Sequence, residues 1–155
     1  MVGAAAAIAV DQRKLPEVEL AHLEGHRGSR PVRVGNSAFN QRQIDVYGEV
    51  LDAVHLYHEL IRQPVKEDWW DEVCFMAEQA ARRWQEPDHG IWEVRGGQRH
   101  FLYSKLMCWV AIDRAIKLAA HAGRQTPTAR WAEVRSQIGS AILAEGYNSD
   151  VGAFT

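Results

Sequence analysis

The chain has 155 residues, 46% hydrophobic and 25% charged, which fits one packed globular domain and excludes disordered and fibrous chains. Its 18 Lys and Arg nearly offset its 20 Asp and Glu, and a net charge of -2 argues against nucleic acid or an anionic membrane as a partner. Two cysteines, Cys74 and Cys108, lie in apolar helical patterns without metal-ligand spacing, which predicts buried free thiols. Met1 to Val10 is too short to span a bilayer and lacks the basic region of a secretory signal, so we expect a cytoplasmic protein.

The first part of the chain, residues 11–40, is rich in Gly, Pro and Arg and predicts irregular structure with at most a short hairpin. A first helix is predicted from Gln41 to Ile61. Its apolar residues form two stripes, so we expect this helix to be buried on two faces. One stripe contains Ile44, Tyr47, Leu51, Val54 and Ile61, and the other contains Val46, Val50, Ala53, Tyr57 and Leu60.

Pro64 is expected to end that helix, and Asp68 is the predicted N-cap of a second one. Its single apolar stripe predicts a half-exposed outer helix. This stripe contains Trp69, Val73, Met76, Ala80 and Trp84. A turn over residues 86–90 and an extended stretch over residues 91–95 follow.

A third helix is predicted from Ser104 to Gly123, and its almost wholly apolar segment 106–112 indicates a second inner helix. Thr126 as N-cap and Pro127 at the first helical position predict a fourth helix, which is apolar on one face and ends at Gly146. The order inner, outer, inner, outer predicts two stacked helical hairpins. Such pairs build small bundles, helical toroids and solenoids.

The residues that could carry chemistry concentrate just before and within the 91–95 stretch. Apolar ring surface can desolvate a neighbouring carboxyl group and raise its pKa, so Glu93 beside Trp92 is a candidate general acid. The alternative is that Glu93 forms a salt bridge with Arg95 or Arg99. Contacts with a sugar could come from Trp92 and Trp84 by ring stacking, and from Asp88, His89 and Arg95 by hydrogen bonds to hydroxyl groups.

Other motifs give no further site. His55, His58 and Glu59 form neither of the zinc motifs HExxH and HxxEH, so we predict no metal ion. Gly96-Gly97 has no phosphate-binding or dinucleotide context, and the chain has no Gly-x-Ser-x-Gly elbow. No cofactor is predicted.

The stretch Pro87-Asp88-His89-Gly90-Ile91-Trp92-Glu93 resembles the PDxGIWE signature of glycoside hydrolase family 15, which includes glucoamylases, glucodextranases and bacterial trehalases. Residues 104–115 are similar to the SKxxCWxAxDRA segment of bacterial members, and residues 28–36, 41–49 and 146–155 also resemble that group. The resemblance covers nearly all of the chain from Leu15 and implies an all-α fold that is part of an (α/α)6 toroid, with an irregular or short β segment before it. It implies one partial catalytic domain over residues 1–155: an irregular region 1–40, four helices 41–146 and a loop 147–155.

The resemblance also implies the activity: inverting hydrolysis of α-linked glucosides such as trehalose, maltooligosaccharides or dextrins. It makes Glu93 the acid, adds Gln43 and Asp45 to the substrate-binding residues, and places the region from Arg33 to Asp45 on the aglycone side. Inversion requires a second carboxylate about 6.5–9.5 Å from the acid to activate water. The family's base, and its Trp-Arg-Asp segment that binds glucose, are expected outside these residues.

The alternative to an enzyme is an inactive helical remnant that binds a sugar or a partner protein. A toroid cut at this point would expose apolar flanks over residues 41–61 and 106–116. We therefore expect either a homo-oligomer or a complementary fragment that covers those flanks.

Overall fold

The computed structural model describes residues 16–62, 65–94, 96–122 and 125–154. The chain forms two compact units, one ending at Arg42 and the other beginning at Gln43. In the first unit, the guanidinium of Arg33 lies 2.9 Å from the carboxylate of Glu19 and joins the two strands of a short hairpin. The prediction of an irregular or short β segment is confirmed. Its elements are strands β1 (Val18–Glu19) and β2 (Arg33–Val34), which pair antiparallel, and 3-10 helices at His26–Gly28 and Ser37–Asn40.

The second unit is helical, and the predicted all-α class with two helical hairpins is confirmed. Its third helix, α3, packs against each of the other three helices of the described chain, so it forms the centre of this unit. This arrangement fits part of a helical toroid. The elements are α1 (Val46–Ile61), α2 (Glu67–Arg83), α3 (Leu102–Ala122), α4 (Thr128–Glu145) and a small hairpin of β3 (Tyr147–Asn148) and β4 (Ala153–Phe154).

None of the helices in the part of the chain that the structure describes is long and apolar enough to cross a membrane.

Helices α1 and α3 approach each other closely. Tyr47 and Leu51 lie four residues apart on one face of α1, and both are buried, as is Ile44 just before the helix. At Gly48, a side-chain Cβ would lie only 2.2 Å from the backbone oxygen of Met107. The two backbones can approach this closely because Gly48 has no side chain.

The expectation that α1 is buried on two faces is wrong for this chain. Most of the second stripe is exposed: Tyr57 is 53% and Leu60 is 82% exposed. Val46, at the start of the stripe, packs against the core. The Trp69 ring of α2 reaches Tyr57, with the two ring centres 6.3 Å apart, but it leaves Tyr57 half exposed.

The ends of the helices differ from prediction by a few residues. Helix α1 begins at Val46 rather than Gln41, since the backbone N–H of Ile44 donates to the Asp88 carboxylate. Helix α2 begins at Glu67, so Asp68 lies in its first turn and is not the N-cap. Pro127 is the N-cap of α4, one residue later than expected. The predicted helix ends at Pro64 and Gly123 lie outside the described residues.

The buried stripe of α2 also differs by one residue. Trp70 is buried and Trp69 is half exposed. Trp70 is the better fit because it continues the helical face on which Val73, Ala77 and Trp84 are buried.

Ion pairs connect α3 to α1 and α4. The guanidinium of Arg114 lies 2.6 Å from the Asp52 carboxylate of α1, and Asp113 accepts a 2.8 Å hydrogen bond from Arg135 of α4. Burial raises the pKa of Asp113, but hydrogen bonds from Lys117, Arg114 and Arg135 outweigh it and hold that pKa below its ordinary value. Asp113 is therefore held as a charged group between three cations.

A second polar connection joins α2 to α4. The Glu78 carboxylate accepts hydrogen bonds of 2.7 Å from Arg130 and 2.9 Å from the indole N–H of Trp131. Desolvation raises the pKa of Glu78, but these two donors more than offset it and the pKa is lowered. The buried ring of Trp131 thus has its polar atom satisfied at the edge of the core.

Candidate active site

The predicted site residues of the second unit meet at one end of its helices. The connection between α2 and α3, residues 84–101, passes the N-terminal ends of α1 and α3. It reaches α1 through a hydrogen bond from Gln43 to Gly90 and reaches α3 through one from Lys105 to the backbone oxygen of Trp84. Three segments of the chain are therefore brought together: the residues just before α1, the connection itself and the start of α3.

Asp88 anchors this connection. It is 1% exposed, and its Oδ2 accepts a 3.1 Å hydrogen bond from the Ile44 backbone N–H and a 2.8 Å bond from the Ser104 hydroxyl. Its backbone also exchanges two hydrogen bonds with Arg99, at 2.9 and 2.8 Å. The carboxylate oxygen Oδ2 is thus occupied inside the protein.

Glu93 lies on a tight turn and not on the extended stretch that the sequence predicts. Its backbone N–H donates to the Gly90 oxygen at 3.3 Å, and its φ is 49°, in the left-handed region that residues other than glycine rarely adopt. Gly90, with φ of 65°, starts the turn, and any Cβ there would lie 2.9 Å from the Phe101 ring. Backbone strain of this kind concentrates at functional residues, where the surrounding structure holds it.

The two tryptophans predicted to stack on a sugar occupy different environments. Trp92 is 85% exposed, so its ring surface is open to a ligand. Trp84 is 9% exposed and packs in the hydrophobic core, with the Lys105 ammonium 5.4 Å from its ring centre. An exposed aromatic face is what sugar stacking needs, and of these two tryptophans Trp92 has one.

Acidic groups line the start of α1 below the turn. Asp45 is buried, and burial, followed by the charge of Asp88, raises the pKa of Asp45. One helical turn further, Glu49 accepts a hydrogen bond from the Tyr103 hydroxyl of α3, which raises the pKa of Tyr103 to about 12. This Glu49–Tyr103 pair was not predicted, because it joins residues that are 54 positions apart.

The structure describes two of the three remaining predicted substrate-binding residues. Gln43 and His89 are half-buried, and Arg95 lies outside the described residues. Ser104 was not assigned a role from the sequence, although a polar residue at the start of an apolar helix is a signal that could have indicated one.

Cys108 lies beneath this region and its thiol donates to the Ile44 backbone oxygen at 3.7 Å. Burial, followed by the charges of Asp88 and Asp45, raises the pKa of Cys108 to about 12. A thiol with such a pKa stays protonated at neutral pH and is a poor nucleophile. Cys74 is half-buried, and neither cysteine is in a disulfide.

The arrangement places a carboxyl group, that of Glu93, next in sequence to an exposed aromatic ring on one tight turn. In the part of the chain that the structure describes, no group of three or more His, Cys, Asp or Glu side chains is arranged to hold a metal ion.

Comparison with known proteins gives a consistent result. A family model described as "Glycosyl hydrolases family 15" matches residues 1–155. The chain is 46% identical over 144 residues to a trehalase of Mycobacterium tuberculosis, covering 93% of this chain and 21% of that protein. It is 46% identical over 135 residues to a trehalase of Mycolicibacterium smegmatis, covering 87% of this chain and 20% of that protein.

A more distant relative is a trehalase of Thermoplasma volcanium, which is 35% identical over 145 residues, or 94% of this chain and 23% of that protein. The chain thus spans about a fifth of the length of the curated relatives it matches. No solved structure gives a significant match.

Proposed function

The chain belongs to glycosyl hydrolase family 15, and from this membership we propose that it supplies the general acid of an enzyme that hydrolyses α-linked glucosides, with Glu93 as the acid. The observation that carries the proposal is the placement of Glu93 in a left-handed turn, next to a Trp92 ring that is open to ligand. An exposed aromatic ring holds a sugar by stacking, and an adjacent carboxylic acid can protonate the glycosidic oxygen.

Trehalose is the substrate that we propose first, because the relatives at 46% and 35% identity are trehalases. Maltooligosaccharides and dextrins are the other α-glucosides to test. In the proposed reaction, a water oxygen bonds to one anomeric carbon as the bond from that carbon to the bridging oxygen breaks. The bridging oxygen leaves with the proton of Glu93, and the water proton passes to a base. Two glucose molecules result.

The mechanism that we propose is inverting, so the glucose attacked by water leaves as the β anomer and the other leaves as the α anomer. We propose that the base comes from outside these 155 residues. Among the residues near the acid, Asp88 is buried with Oδ2 hydrogen-bonded to Ile44 and Ser104, and Asp45 is buried. We therefore assign the base to neither.

The other predicted substrate-binding residues have different parts in the proposal. Trp92 stacks on the glucose ring, and His89 and Arg95 hydrogen-bond its hydroxyl groups. Gln43 supports the acid-bearing turn through its 3.4 Å hydrogen bond to Gly90. The ring of Trp84 is buried in the core, so it supports residues 84–101 and offers no surface for stacking.

The experiment measures hydrolysis of trehalose, maltose, isomaltose and maltoheptaose by the protein together with the segment that supplies the base, and by the same protein carrying Glu93→Gln. An amide cannot donate a carboxyl proton, so the variant should lose about 100- to 10,000-fold in kcat. Glu133→Gln is the matched control, because Glu133 is an exposed carboxylate on α4. It should leave the rate unchanged.

A second substrate separates acid catalysis from other roles of Glu93. Fluoride leaves α-glucosyl fluoride without needing a proton, so Glu93→Gln should retain most of its rate on that substrate. Loss of activity on both substrates would contradict the assignment of Glu93 as the acid. Proton NMR of fresh trehalose products should show α- and β-glucose in equal amounts, whereas α-glucose alone would contradict inversion.

A second candidate function is an inactive interaction module, which the exposed apolar stripe of α1 favours. A groove of about 430 Å³ runs beside this stripe and is lined by Glu49, Val50, Ala53, Val54, Tyr57 and Trp69. Light scattering tests it: assembly of the folded chain, with no hydrolysis of any substrate even when the segment that supplies the base is present, would favour this candidate over the enzyme. A stable monomer that hydrolyses trehalose would exclude it.

A further inference from the structure

We propose that Asp88 is a positioning residue, whose carboxylate fixes the turn that carries Glu93 to both α1 and α3. This inference rests on the proposed function, in which Glu93 is the acid. It differs from the sequence expectation that Asp88 binds substrate, because the hydrogen bonds of its carboxylate go to the protein itself.

The two anchors reach separate helices. The Ile44 N–H lies two residues before the first residue of α1, and the Ser104 hydroxyl lies in the first turn of α3. Ile44, Asp88 and Ser104 are all buried, so water does not replace a lost partner. Hydrogen bonds to a buried carboxylate are among the stronger ones in proteins, and losing such a partner leaves two donors unsatisfied.

The anchors are connected to the acid by a short path. Asp88 is two residues from Gly90, whose backbone oxygen accepts from both Gln43 and the Glu93 N–H. Asp88 also closes the loop by pairing its backbone with Arg99. The turn is thus held at its base, and the carboxylate of Asp88 joins it both to the segment just before α1 and to the first turn of α3.

A general acid works only within hydrogen-bond reach of the leaving oxygen, so a displacement of about 1 Å can reduce the rate about 100-fold without a matching loss of substrate binding. Removal of the Asp88 anchor should therefore lower kcat with little change in KM. It should not remove activity on α-glucosyl fluoride, which does not depend on the acid.

The primary test is hydrogen exchange of the full chain, because it does not require activity. Asp88→Ala removes both anchors, Ser104→Ala removes one, and Asp88→Asn keeps an acceptor oxygen. We expect the hydrogen-bonded amides of Glu93 and Arg99 to exchange about 100-fold faster in Asp88→Ala and about tenfold faster in Ser104→Ala, with Asp88→Asn closer to the parent protein. Ser136→Ala, which removes an exposed hydroxyl on α4, should match the parent.

Hydrogen exchange of the α4 amides distinguishes a local loosening of the turn from a general loss of stability. Amides of residues 131–138 should keep their rates in every variant. Unchanged exchange of the turn, or equal acceleration in the turn and α4, would overturn the inference. If Asp88→Ala does not fold, Ser104→Ala decides by the same two measurements.

Failure of this inference and failure of the proposed function give different results. If Glu93 is not the acid, Glu93→Gln keeps its activity on trehalose, while the exchange of the turn still depends on Asp88. If Asp88 does not position the turn, exchange of the turn is unaffected by Asp88→Ala, while Glu93→Gln still loses its activity.

Discussion

The contact between Gly48 of α1 and Met107 of α3 leaves no room for even one methyl group at position 48. A Cβ at position 48 would lie 2.2, 2.7 and 2.9 Å from the backbone oxygen, carbonyl carbon and Cα of Met107. These atoms belong to the backbone of α3 and cannot rotate away as a side chain can. Since ordinary contact begins at 3.4 Å, Gly48→Ala requires the helices to separate by about 1.2 Å.

The expected size of the effect follows from two opposing terms. Overpacking of this kind destabilises a protein by about 1–3 kcal/mol, and the upper part of that range applies because a backbone must move. Alanine is favoured over glycine within a helix by up to about 1 kcal/mol. Gly48→Ala should therefore lower the free energy of unfolding by about 1–2 kcal/mol.

A matched substitution isolates the packing term. Gly139 lies in α4, where a Cβ would be 3.5 Å from the nearest atom, the indole nitrogen of Trp109. Gly139→Ala should thus gain the helical preference without a clash and be neutral or stabilising by up to about 1 kcal/mol. Both variants are compared by urea unfolding followed by far-ultraviolet circular dichroism. If Gly48→Ala is as stable as Gly139→Ala, the close approach of α1 and α3 is refuted.

Two further predictions concern titration. Because the pKa of Asp113 is lowered in the folded state, its stabilisation is present above the unfolded value of about 4 and is lost as the pH falls through the folded pKa. Asp113→Asn should lower the free energy of unfolding by about 1–2 kcal/mol at neutral pH. Urea unfolding at a series of acidic pH values should show this difference disappear. A difference that stays constant with pH would contradict the ion-pair account. The pKa of Tyr103 is raised to about 12, so the Tyr103–Glu49 hydrogen bond stabilises the fold below about pH 10, and this stabilisation is lost as the pH rises through 12. In a near-ultraviolet titration, Glu49→Gln should return the pKa of Tyr103 toward about 10. Tyr103→Phe is the control that identifies the Tyr103 signal. An unchanged pKa in Glu49→Gln would contradict the Glu49–Tyr103 hydrogen bond.

Helix number, order and class could be predicted from the sequence because each helix carries its own periodic apolar pattern. The errors arise where a residue's environment depends on a distant element. Trp69 and Trp70 are adjacent and equally apolar, and only the packing of α2 against its neighbours selects Trp70 for burial. The second stripe of α1 is apolar in sequence, yet its burial depends on a partner surface, and the residues that the structure describes leave most of the stripe exposed.

The candidate site could be predicted in composition but not in geometry. Trp92 and Glu93 are recognisable from their order in the sequence. The turn that presents them is not, because a left-handed backbone at a glutamate is disfavoured locally and is imposed by the bonds around Gly90. The internal role of Asp88 depends on Ile44, which is 44 positions away, and no local pattern indicates such a pair.

The backbone pairing between Asp88 and Arg99 has a consequence for how this part of the molecule can change. Because the chain leaves and returns at one point, with two hydrogen bonds at 2.9 and 2.8 Å closing the base, the intervening residues 89–98 form a cassette. Residues of this cassette other than Gly90, Trp92 and Glu93 can change without altering where the chain leaves α2 and enters α3, because the backbone pairing of Asp88 with Arg99 fixes both points.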